Sequence, residues 1–136
     1  MARILAIDYG LKRTGIAVTD PLQIIATGLT AVDTKDIFDF LKEYLKNEEV
    51  EQFVVGYPVN LDASESPMTL AVDKFIEDLQ KNHPTIPVDT EDERFTSKMA
   101  AQSLVQSGVR KKKRQNKKLL DEVSAVLILQ AYLGHR

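Results

Sequence analysis

The chain has 136 residues, 43% hydrophobic and 28% charged, with a formal net charge of −2 and no cysteine. That length suits one ordinary domain, able to bury roughly two thirds of the surface its unfolded form exposes. The missing cysteines exclude disulfides and thiolate metal centres, and no apolar stretch approaches the ~20 residues of a membrane-spanning helix.

The expectation is therefore a single domain over residues 1–136 with no membrane partner. "MARILAID" runs directly into a strand pattern and lacks the basic and apolar regions of a secretory signal, which points to the cytoplasm. The small net charge hides an asymmetry. Residues 110–118, "RKKKRQNKK", hold seven of the 18 Lys and Arg and no acid, while the rest of the chain carries 11 basic and 20 acidic side chains, a net −9. Such a chain can meet a polyanion through one face and stay acidic elsewhere.

Residues 3–8 (RILAID) and 14–20 (TGIAVTD) read as two strands joined by a tight connection containing Gly10 and Gly15, a hairpin signal. "IIATGLTAV", 24–32, predicts a third antiparallel strand. From Thr34, a plausible N-cap, the period changes: Ile37, Phe40, Leu41, Tyr44 and Leu45 mark an amphipathic helix. "QFVVG", 52–56, is a buried central strand closed by Gly56 and Pro58.

After a polar loop over 57–66, Ser66-Pro67 opens a second helix with Pro at its first position and Met68, Ala71, Val72, Phe75, Ile76 and Leu79 on one face. "IPVDTEDER", 86–94, predicts a strand ending among acids, and a third helix runs from about Thr96 to a C-terminal cap at Gly108. The last helix, roughly Lys118 to Leu133, is apolar nearly all round and is expected to be buried. The order predicts an α/β fold, a mixed five-stranded sheet flanked by helices. Ligands of open α/β sheets bind beyond the carboxyl ends of the strands, here the ends at Asp8, Gly56 and Glu93.

Three acids stand where charge is costly: Asp8 closes an apolar strand, Glu93 lies at the end of the fifth strand, and Asp121 sits in the first turn of the last helix beside the small residues Ser124 and Ala125. Acids gathered without partners repel one another and resist burial, and a divalent cation resolves both problems. Oxygen donors favour Mg²⁺ or Mn²⁺ over zinc. Neither His83 nor His135 is placed as a ligand. Which of Glu91, Asp92 and Glu93 faces inward stays open at this stage.

"IDYGLKRTGIAVTD", "VVGYPVNLDASES", "DERFTS" and "LLDEVSAVLILQAYL" resemble, in order and along nearly the whole chain, the YqgF (RuvX) family, in the RuvC-like branch of the ribonuclease H-like fold. The resemblance implies a Mg²⁺-dependent nuclease, with Mn²⁺ as a substitute, that matures the 5′ end of pre-16S rRNA in ribosome biogenesis. A Holliday junction resolvase acting on branched DNA is the alternative. It also implies Asp8, Glu93 and Asp121 as the catalytic, metal-binding acids. Lys12, Arg13 and Arg94, with Arg110, Lys111, Lys112, Lys113, Arg114, Lys117 and Lys118 of the basic run, are expected to hold the phosphate backbone of precursor rRNA or branched DNA. The ribosome is a further expected partner; no dimer surface is legible.

Two rivals come from other classes. The strand, "DYG", strand pattern also resembles the phosphate-binding hairpin of actin-like ATPases and sugar kinases, which enclose nucleotide between two such domains where this chain supplies one. The other rival is a non-catalytic RNA-binding assembly factor on the same fold.

Overall fold

The apolar run after the N-terminus forms the first and central strand of a five-stranded sheet. The computed structural model describes residues 2–58, 68–92 and 117–135. Within them lie β1 (Arg3–Asp8), β2 (Arg13–Thr19), β3 (Ala26–Asp33), α1 (Ile37–Asn47), β4 (Val50–Tyr57), α2 (Thr69–Asn82), β5 (Val88–Asp92) and α3 (Lys117–His135). The expected helix over 96–108 falls outside the described residues.

The strand order is β3-β2-β1-β4-β5. β1 pairs antiparallel with β2 and parallel with β4; β3 joins β2 antiparallel and β5 joins β4 parallel. This is the expected mixed sheet. Leu5, Ala6 and Ile7 of β1 are fully buried, since helices cover both faces, and a strand buried on both faces reads as a continuous apolar run.

Side chains alternate between the faces. Leu5, Ile7, Ile16, Phe53 and Val55 pack with Ile37 and Leu41 of α1 and Val72, Phe75 and Leu79 of α2. Ile4, Ala6, Ala17 and Val54 pack with Ala125, Ile128 and Leu129 of α3. Tyr9, the residue after Asp8, stacks on Phe75 with ring centroids 4.6 Å apart, which ties the exit of β1 to α2.

Several boundaries differ from the sequence reading. Thr34 does not cap α1. It opens a short 3-10 turn, Thr34–Asp36, and α1 follows with Asp36 at its N-cap. The Thr34 hydroxyl instead donates to the Gly10 carbonyl at 2.6 Å and lies 2.9 Å from the Thr14 hydroxyl. β3 starts at Ala26 because the Asp20 carboxylate accepts the N–H groups of Ile24 and Ile25, both at 2.8 Å, and so makes that stretch a loop. α2 opens at Thr69, two residues beyond Pro67.

α3 begins at Lys117, which places Asp121 in its second turn rather than its first. Burial of α3 is also less than its composition suggests: Ser124, Ala125, Ile128 and Leu129 are buried, while Leu119, Leu120, Val123, Val126 and Leu127 are half-buried. One stripe of the helix is buried on the sheet, and Val126, Tyr132 and Leu133 pack at the margin of that contact.

Candidate active site

Asp8 ends β1 opposite Gly15 of β2. Residues directly opposite in an antiparallel pair share a face. Asp8 therefore belongs to the α3 side, continuing the series Ile4 and Ala6, while Tyr9 turns to the other side.

Gly15 is where α3 meets this corner. A Cβ there would run into the carbonyl group of Asp121 and come within 3.1 Å of the Glu122 nitrogen. Only a residue without a side chain allows that approach, which seats the Asp121 backbone over Gly15, on the face to which Asp8, the strand partner of Gly15, belongs. A second close approach lies one strand outward, where a Cβ at Gly28 would meet the Glu122 side chain, with Cγ at 2.7 Å.

Arg13 opens β2 two residues before Gly15, hence on the same face. Its Nε donates to Asp121 Oδ2 at 3.0 Å, with the two side chains 28% and 29% exposed. Lys12 is exposed in the β1–β2 turn. Thr34 holds that turn at two points, because its N–H also donates to the Lys12 carbonyl at 2.9 Å.

On the other flank, Ile7 pairs with Val55 and Gly56 pairs with Glu91. Continuing the register sets Gly15, Asp8, Gly56 and Glu91 in one row across the sheet. Strands lie ~4.8 Å apart, so the backbones at Asp8 and Glu91 are about 10 Å from each other. Asp92 pairs with Tyr57, which packs in the α1/α2 core, so it sits on the opposite side.

Of the expected site residues, Asp8, Lys12, Arg13 and Asp121 gather around the β1–β2 turn and α3. Glu93, Arg94, Arg110, Lys111, Lys112, Lys113 and Arg114 lie outside the described residues, as do the side chains of Lys117 and Lys118. Among the described residues, no three His, Asp or Glu side chains form a ready metal cage. The chemistry of the donors nonetheless suits a hard divalent cation: among the described residues they are carboxylate oxygens, from the end of β1 and from α3.

Sequence reading missed two contributors and left a third open. Glu91, one of the three acids the sequence left open, shares the face of Asp8 through its pairing with Gly56, whereas Asp92 does not. The use of Gly15 as a contact for α3 and of Thr34 as a clamp had no local signal.

Residues 2–135 match the RuvX family, described as Holliday junction resolvase. The chain belongs to the RuvX family. A relative from Amoebophilus asiaticus is 54% identical over 134 residues, covering 98% of this chain and 95% of its own. Another, from Porphyromonas gingivalis, is 52% identical over 135 residues, covering 99% and 98%. Both carry the name "Putative pre-16S rRNA nuclease". Among solved structures, T. thermophilus RuvC in complex with Holliday junction substrate aligns with a TM-score of 0.56 at 17% identity, over 98% of this RuvX chain and 97% of RuvC. The fold is thus ribonuclease H-like, as the four sequence motifs led us to expect.

Proposed function

We propose that this RuvX protein is a metal-dependent nuclease that matures the 5′ end of pre-16S rRNA in the cytoplasm, acting as a single domain. The observation that carries the reading is the seat of the Asp121 backbone on Gly15, the strand partner of Asp8, in a chain half identical to relatives bearing the rRNA nuclease name.

Asp8 and Asp121, with Glu93, would hold Mg²⁺ or Mn²⁺. When bound, such ions lower the pKa of the attacking water and stabilise the leaving oxygen in phosphodiester hydrolysis. The residues' own tasks are positioning and charge. The β1–β2 ladder fixes Asp8, and the seat of α3 on Gly15 fixes Asp121. Lys12, Arg13 and Arg94 offer cations to the phosphate next to the cut, and the 110–118 run offers a sequence-independent grip on the rest of the backbone.

The family description favours a second reading, resolution of four-way DNA junctions. One experiment separates the two: incubate a 5′-extended 16S rRNA precursor and a four-way DNA junction with wild type and Asp8→Asn, each in Mg²⁺ and in Mn²⁺. RNA cleavage that disappears in the variant while binding persists is expected. Cleavage of the junction alone would make the protein a resolvase, and metal-dependent cutting of neither would make it a binding factor.

A further inference from the structure

Arg13 faces a conflict that its expected role as a phosphate ligand does not contain. Its Nε is committed to Asp121 Oδ2 at 3.0 Å, and Asp121 is one of the acids assigned to the cation. The contact is a single one through Nε; among the described residues, no hydrogen bond is formed by the two terminal nitrogens of Arg13. A guanidinium is a permanent cation with five donors. At about a quarter exposed, the pair is neither a freely solvated surface contact nor a sealed internal one, so its electrostatic effect is only partly screened.

We propose that Arg13 is the resident counter-cation of Asp121, holding the carboxylate in the cation-free protein and yielding it when a divalent ion binds. This rests on the reading of Asp121 as a cation ligand. Before loading, Arg13 offsets the charge of Asp121 on the face of the sheet that Asp8 shares. On loading, a second cation beside the same carboxylate repels the guanidinium, and the Nε contact is given up. The freed side chain then carries all its donors to the rim of the site, where a phosphodiester can take them in place of the carboxylate. Arg13 is in this view a positioning residue whose two partners succeed one another, which couples cation binding to the grip on substrate.

The consequence is a competition that can be measured without turnover. Arg13→Gln removes the competing charge, so it should bind Mn²⁺ about three- to tenfold more tightly than wild type by isothermal titration calorimetry, given the Coulomb cost of seating a divalent ion beside a fixed cation. Damage to the fold would weaken binding, so a gain in affinity separates competition from a structural role. Arg13→Lys keeps the charge and should stay within about twofold of wild type. Asp121→Asn should weaken Mn²⁺ binding.

If Asp121→Asn weakens binding and Arg13→Gln leaves it unchanged or weaker, the competition is wrong and the ligand reading stands. If Asp121→Asn has no effect, Asp121 is not a ligand and both fall. A check independent of any variant is the Arg13 Nε–H resonance of the wild-type protein: it should be protected without cation and lose that protection as Mg²⁺ is added. Protection retained at saturating Mg²⁺ would overturn the proposal.

Discussion

Gly15 and Asp121 are in backbone contact: the carbonyl of Asp121 on α3 occupies the space a side chain at Gly15 would need. The partner atom is backbone, held by the helix's own hydrogen bonds and by the packing of Ala125, Ile128 and Leu129 below it. It cannot step aside as a flexible side chain would.

Gly15→Ala should therefore cost stability at or above the upper end of the usual ~1–3 kcal/mol for overpacking. It should also lower cleavage by about a hundredfold, because a shift of ~1 Å in Asp121 relative to Asp8 spoils the alignment of the acids. Gly134→Ala is the control. It lies in the same helix, where a Cβ meets nothing within 4 Å, and it should be neutral or stabilising by up to about 1 kcal/mol. Urea unfolding of both variants checks the contrast; equal stabilities would mean that α3 does not rest on Gly15.

A second prediction concerns the clamp on the β1–β2 turn. Thr34 gives its only hydroxyl proton to Gly10, so the fully buried Thr14 hydroxyl must be the donor in the 2.9 Å contact between the two threonines. Thr34→Val removes that acceptor and strands the Thr14 hydroxyl, at a cost of about 1–3 kcal/mol. Thr14→Val/Thr34→Val removes donor and acceptor together, so its loss of stability should be smaller than the sum of the single losses. A double-mutant cycle in urea measures this directly, and strict additivity would rule out the relay.

How much of this was legible beforehand follows the range of the forces. β1, β2 and β4 could be read because a strand covered on both faces must be apolar throughout, and α1 and α2 because each buries one stripe. The row of strand ends that carries Asp8 followed from topology alone. What failed was the choice among competing hydrogen-bond and ion-pair partners, some local and some distant in sequence. Ile24 and Ile25 look like strand residues, yet the Asp20 carboxylate takes their N–H groups, and those bonds, that of Ile25 foremost, hold its pKa below the usual value. Thr34 looks like a helix cap, yet the Gly10 carbonyl in the β1–β2 turn, 24 residues earlier, takes its proton. The ion pair of Arg13 with Asp121 spans 108 residues and had no local signature.

The acidic end of β5 yields a third prediction. Glu91 shares the face of Asp8 and Asp92 does not, and Glu93 is the acid proposed as the third ligand. Asp92→Asn should thus keep cleavage within about threefold of wild type. Glu93→Gln, the loss of a proposed ligand, should cost more than the roughly 10- to 100-fold typical of residues that merely support a ligand. A reversed order would move the third acid to Asp92 and require the strand to end differently.

His83 supplies a prediction about pH. It follows α2, half-buried, with its ring edge-on to Phe53 at a centroid distance of 5.8 Å, and burial holds its pKa below the ordinary 6.5. The folded protein then binds fewer protons than the unfolded chain once the pH drops below that value, so stability is full above it and declines as the pH falls toward the folded-state pKa. Thermal unfolding between about pH 7.5 and pH 5.5 should show a small fall in Tm that His83→Gln removes, in a window mostly above the titration of the carboxylates. An identical slope in the variant would assign the fall to other groups.

The last prediction tests the basic run, whose seven cations in nine residues are proposed to grip phosphates. Each phosphate neutralised releases counterions, so the slope of log K against log salt steepens by about 0.7 for single strands and about 0.9 for duplex. Replacing Lys111, Lys112, Lys113 and Arg114 with Ala should weaken RNA binding and flatten that slope by up to about 3. The loss should be the same for RNAs of unrelated sequence, because backbone contacts carry no base information. Filter binding across a salt series with a precursor rRNA and an unrelated hairpin measures both effects. Affinity unchanged at every salt concentration would remove the run from the interface and leave the grip to Lys12, Arg13 and Arg94.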